Sequence, residues 1–102
     1  MNIDDYVEWA RNTGPIKASP AVTNEHLGVL CLALVSDVGE VANVIVRRVR
    51  DGTFNRELFA YELGDVIFHL ARLCAVTGIA PSELLNRSRN NIEERVAKRS
   101  QS

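Results

Sequence analysis

Apolar residues recur along this chain at intervals of three and four and never alternate for long. The pattern therefore predicts helices and no strands. A first helix lies within residues 1–12, with Ile3, Tyr6, Val7 and Ala10 on one side. Asn2 can cap it, and Asp4 and Asp5 suit the positive end of its dipole. Gly14, Pro15 and Pro20 make 13–23 a loop. A second helix, 24–50, starts at Thr23 or Asn24 and is about 40 Å long at 1.5 Å per residue. Its apolar residues cover nearly the whole circumference, which calls for burial on most sides. A chain of 102 residues cannot surround such a rod, so a subunit interface is expected. The "DGT" at 51–53 turns the chain. A third helix, 54–77, is capped by Thr53 or Asn55 and stopped by Gly78. Pro81 opens a fourth, 81–99, carrying Leu84, Leu85, Ile92 and Val96. The expected fold is all-α. Residues 1–102 form a single domain, a helical hairpin within a four-helix bundle completed by oligomerisation.

Charge narrows the partners. The net charge of −1 gives no global field toward a nucleic acid polymer or a membrane surface, and neither is expected as a partner. Cys31 and Cys74 lie far apart in apolar segments, without metal-type spacing, and read as buried thiols in a reducing compartment. The opening "MNIDDYVEWAR" lacks a signal-peptide block. The longest uncharged run, His26 to Ser36, is too short to span a bilayer. A cytoplasmic protein is expected.

Two acids break the apolar second helix. From Leu27 to Val46, Asp37 and Glu40 are the only charged side chains, and their i,i+3 spacing puts them on one face. The third helix repeats the device with Glu62 and Asp65, the only acids between Leu58 and Ala71. The short turn makes the two helices antiparallel neighbours. Counting from that turn sets both pairs at similar depth. Four facing carboxylates in apolar surroundings must take up protons or bind cations. Hard oxygen donors suit Mg²⁺, with Mn²⁺ as a substitute.

The "DVGE" at 37–40 and "ELGD" at 62–65 resemble the E-x-x-E and E-x-x-D signature of MazG-like all-α nucleoside triphosphate pyrophosphohydrolases. The frames "LALVSDVGEVANVIVRR" and "FAYELGDVIFHLARL" are similar to that family's two core helices, and "TGIAPSELLNRSRNNIEERVAKR" to its last one. The resemblance implies Mg²⁺-dependent hydrolysis of a nucleoside triphosphate, a purine deoxynucleotide being the first candidate, to monophosphate and pyrophosphate. It implies a homodimer or homotetramer. It makes Asp37, Glu40, Glu62 and Asp65 the metal ligands and catalytic residues. Asp37 stands where the family normally has Glu, one methylene longer. Around the acids, Asn43, Arg47, His69 and Arg72 are candidates for substrate contact. Asn91, Arg95 and Lys98 are candidates on the last helix, Trp9 is one for stacking on a base, and the loop with Lys17 is a candidate lid. The competing expectations are a non-enzymatic helical dimerisation module, a phosphoribosyl-ATP pyrophosphohydrolase and a di-iron bundle. The last needs Glu-x-x-His pairs that this chain lacks.

Overall fold

The structure is a computed structural model that describes residues 1–101. Four helices follow one another: α1 (Ile3–Asn12), α2 (Asn24–Asp51), α3 (Arg56–Thr77) and α4 (Pro81–Gln101). The chain is all-α, and among the described residues there is no strand. The first three starts each carry a side-chain cap. The side chains of Asn2, Thr23 and Asn55 accept hydrogen bonds from the amides of Asp5, His26 and Leu58. Gly52 and Gly78 end α2 and α3 at φ 77° and 73°, a left-handed geometry that glycine adopts without strain.

α2 and α3 form an antiparallel hairpin, and α1 lies across the end of α3 remote from the turn. The core gathers there: Val7, Ala10, Ala18, Leu30, Ala71, Cys74, Ala75 and Val76. Its members are small, and among the described residues no large side chain is fully buried. One cation belongs to this core. Arg72 is 5% exposed and donates to the carbonyls of Ala10 (2.8 Å), Thr13 (2.6 Å) and Ile16 (2.6 Å). Its guanidinium thus sits at the negative end of the α1 dipole, with the ring of Phe68 beside it. Gly14, at φ 111°, lets the loop curl around this charge. The segment expected as a lid is therefore tied down through its first half, and Ala18 is wholly buried within it.

α4 departs from the expected bundle. It leaves α3 at 107°, packs its first turns against α1 and buries none of its residues. Asp4 of α1 accepts a hydrogen bond from the amide of Ser82 at its start. The large aliphatics of α4, Leu84, Leu85, Ile92 and Val96, are each about half-exposed, so the helix adds little apolar burial to the chain. The single chain is correspondingly open. Its radius of gyration is 16.4 Å, against roughly 13 Å for a compact domain of this length.

Candidate functional site

The helices meet along seams of three- and four-residue steps. On α2 the seam is Leu27, Leu30, Leu34, Asp37, Val41 and Val44; on α3 it is Leu58, Glu62, Asp65, His69, Arg72 and Val76. The site is the stretch where the seam turns polar. Its anchor is a contact of 2.5 Å between Asp37 Oδ2 and His69 Nδ1, with side chains only 17% and 22% exposed. The same Nδ1 lies 3.2 Å from the carbonyl oxygen of Asp65. Both neighbours accept, so Nδ1 carries the proton and donates. Nε2 is left as the ring atom open to other partners.

That contact places Asp37 of α2 against the turn of α3 that runs from Asp65 to His69. Glu62 and Asp65 are half-buried, and Glu40 is exposed. Partial burial holds the Glu62 carboxyl above its usual range, and the charges of Glu40, Asp65 and Asp37 push it the same way. The four carboxylates thus share one field. Among the described residues no ion pair from Lys or Arg reaches Asp37, Glu40, Glu62 or Asp65.

Whether a metal fits here is a matter of donors and of shape. The donors are four hard carboxylates, mutually repelling and without a Lys or Arg partner among the described residues, which matches Mg²⁺ or Mn²⁺ in type and in charge. Among the described residues no three acidic, histidine or cysteine side chains converge as a finished cage. Asp37 is turned to His69, and Glu40 faces solvent. An ion would draw the flexible carboxylates of Glu40 and Glu62 together, while Asp37 is committed on one oxygen to His69.

The remaining candidates divide. Asn43 and Arg47 are exposed and follow Glu40 at three and seven residues along α2. Arg72 is separated from them by its bonds to backbone carbonyls, which account for its guanidinium without a phosphate. Trp9 is half-exposed and meets Phe68 edge-on at 5.8 Å, and Phe68 meets His69 at 5.4 Å. An aromatic file therefore runs from α1 to the acids. Phe68 was not singled out from the sequence, although its place beside His69 was a readable signal. Asn91 and Arg95 line a shallow groove on α4 with Leu84, Arg87, Ser88 and Ile92. Lys98 is exposed further along the same helix. Since α4 points away from the hairpin, the single chain does not bring these three to the carboxylates.

Over 101 residues the chain is 30% identical to the Gene 37 protein of Mycobacterium phage L5, covering 93% of this chain and 89% of that one. No protein-family model and no solved structure matches the chain.

Proposed function

We propose that this chain, which belongs to the same family as the Gene 37 protein of Mycobacterium phage L5, is a Mg²⁺-dependent nucleoside triphosphate pyrophosphohydrolase of the cytoplasm. The observation that carries the reading is the set of Asp37, Glu40, Glu62 and Asp65 on two facing helices, with no Lys or Arg paired to any of them among the described residues. The motif resemblance to MazG-like enzymes supplies the reaction: a nucleoside triphosphate and water give the monophosphate and pyrophosphate.

The four carboxylates would hold the divalent ions, which supply charge neutralisation of the phosphate chain and a more acidic bound water. The chain's own residues do the rest. A carboxylate oxygen not engaged in holding an ion accepts the proton of the attacking water. Asp37 fixes the His69 ring through Nδ1, and Nε2 then accepts in the neutral ring and donates to a phosphate oxygen only in the imidazolium form. Arg47 can grip further phosphate oxygens with its fork of donors, and Asn43 can orient a ligand beside Glu40. Trp9 and Phe68 offer aromatic faces and edges for a base near His69.

The test is pyrophosphate release from a panel of ribo- and deoxynucleoside triphosphates, with and without Mg²⁺ or Mn²⁺, beginning with purine deoxynucleotides. Turnover lost in Glu62→Gln supports the reading. Equal turnover in Glu62→Gln, or no release from any nucleotide, overturns it. A second reading, a helical interaction module without catalysis, is favoured by the absence of a finished cage among the described residues. It predicts no calorimetric heat with either metal, in the presence or absence of nucleotide.

A further inference from the structure

The net charge of −1 conceals an uneven division. α4 carries five cations, Arg87, Arg89, Arg95, Lys98 and Arg99, against three acids, Glu83, Glu93 and Glu94. This helix is therefore net positive and the rest of the chain net negative. It is also the element that stands away from the body. It leaves α3 at 107°, meets α1 with its first turns and buries none of its residues. The macrodipole accounts for Lys98 and Arg99, which lie in the last turn. It does not account for Arg87 or Arg95, which come before that turn.

The cations gather on one side. Steps of three and four put Arg87, Asn91, Arg95 and Lys98 on a single exposed stripe, with Ser88 beside it. Arg87, Ser88, Asn91 and Arg95 line one groove there. Arg87 gives its Nε to Glu83 at 2.9 Å, which leaves its terminal nitrogens for other partners. Among the described residues neither Arg95 nor Lys98 is in an ion pair. Arg89 and Glu93 pair with each other on the opposite side of the helix. From Arg87 to Arg95 the rise is about 12 Å at 1.5 Å per residue. The major groove of B-DNA is about 12 Å wide and admits an α-helix. Two guanidiniums at that separation can each meet the phosphates of one strand. Ser88 and Asn91 between them hold the donors and acceptors that suit base edges.

Other anionic partners fit this face less well. A single strand is held by stacking on aromatic rings, and α4 has none. The major groove of an RNA duplex is too deep and narrow for a helix. An anionic membrane selects a helix with a broad apolar face and aromatic anchors. Here Leu85, Ile92 and Val96 alone lie beside the basic stripe. We infer that the basic stripe of α4 docks on double-stranded DNA, with Arg87 and Arg95 against the phosphates on either side of the major groove. The expectation of no nucleic acid partner rested on net charge, which averages this asymmetry away. Contact charges act within a Debye length of about 10 Å, so the local field decides. The inference is independent of the hydrolase reading, since it uses none of the four carboxylates.

Fluorescence anisotropy of a labelled DNA duplex of mixed sequence, titrated with the full chain in EDTA, tests it. The expected dissociation constant is on the order of 10⁻⁶–10⁻⁴ M. Between about 50 and 200 mM salt, about two to four phosphate contacts give a log–log slope of about −2 to −4. In the Arg87→Gln, Arg95→Gln double variant the constant should rise at least about tenfold at low salt, and the slope should flatten by about 2. Both positions are exposed, so the helical circular dichroism is retained. An Arg48→Gln, Arg50→Gln variant, altered at the hairpin turn, should bind as the parent does. The inference is overturned by no binding at the lowest salt, or by a double variant that binds like the parent. It is equally overturned by the same loss in the Arg48, Arg50 variant, or by tighter binding to single-stranded DNA or duplex RNA. Full displacement by inorganic triphosphate at equal phosphate concentration, or retention on anionic vesicles without DNA binding, would also refute it.

Discussion

Replacing Arg72 by Met keeps the length of the stem and removes every donor. The wild-type guanidinium makes three short bonds to backbone carbonyls, and it is 5% exposed. A hydrogen bond to a charged group contributes about 1.5–3 kcal/mol. The three are not equivalent. The carbonyl of Ala10 belongs to a fully buried residue and stays dry after the change, whereas Thr13 and Ile16 lie in a loop that water can reach. One full loss and two partial ones give about 3–5 kcal/mol. A domain of this size has about 5–15 kcal/mol in all. In urea, with a slope near 1.5 kcal/mol per molar, the midpoint should fall by roughly 2 M or more. The measurement is urea unfolding at one fixed protein concentration, followed by helical circular dichroism and by fluorescence of Trp9, the sole tryptophan. Trp9 packs on Phe68 under the same segment, so its emission should shift before the α2–α3 hairpin melts. Arg72→Lys, which keeps the charge but not the fork, should fall between the two. A midpoint for Arg72→Met within 0.3 M of the parent, where m is about 1.5 kcal/mol per molar, would refute the reasoning, because the buried cation would then be tying nothing down.

Glu62 gives a pH signature. Its folded carboxyl binds protons more tightly than the unfolded one, so the folded state holds more protons in the window above the ordinary value of 4.5. Stability from this group is greatest below that value and falls as pH rises through the window. Glu62→Gln should flatten the fall, gaining on the parent at pH 7 and not at pH 4 in thermal melts. Divalent cations should act in the same direction at neutral pH. With Mg²⁺ or Mn²⁺ at about 100 times its dissociation constant, linkage gives about 2.7 kcal/mol, and the gain should disappear in a Glu40→Gln, Glu62→Gln double variant. At 10 mM Mg²⁺, about ten times a site affinity on the order of millimolar, linkage still gives about 1.4 kcal/mol, and an unmoved melting temperature there would count against the metal assignment. Asn55→Ala should cost about 1 kcal/mol in chemical unfolding, since the side chain accepts from the Leu58 amide at 3.0 Å.

Much of the fold could be read in advance, for reasons that also show where reading stops. The caps Thr23 and Asn55 and the stop at Gly78 are local chemistry, so a few neighbouring residues suffice to announce them. The antiparallel hairpin follows from a turn too short for any other path. The pairing of individual side chains does not, because it depends on rotamers as well as on helix direction; the contact of Asp37 with His69 is visible only in the structure. Arg72 was legible as a cation on the acidic face of α3. Its partners are carbonyls of α1 and of the loop after it, more than fifty residues earlier, and a carbonyl has no letter in a sequence. The direction of α4 rests on three residues around Gly78, where small changes of dihedral swing a whole helix.

The two ends of the hairpin divide the labour. At the α1 end, Ala71, Cys74, Ala75 and Val76 pack with Leu30 and Val7, and Arg72 stitches the loop to them. Toward the turn the seam gives up apolar filling for Asp37, Glu62 and Asp65, which α1 does not cover. Carboxylates there repel one another and weaken the hairpin, and this is tolerable because the other end holds the helices in register. The faces of α2 are separated in the same way. Asp37 looks toward α3, while Leu32, Val35 and Gly39 look away. The acids of the inner side and the apolar stripe of the outer side therefore occupy different atoms of one rod. A substitution on one side should leave the other intact, up to the small strain that a rigid helix transmits across its own width.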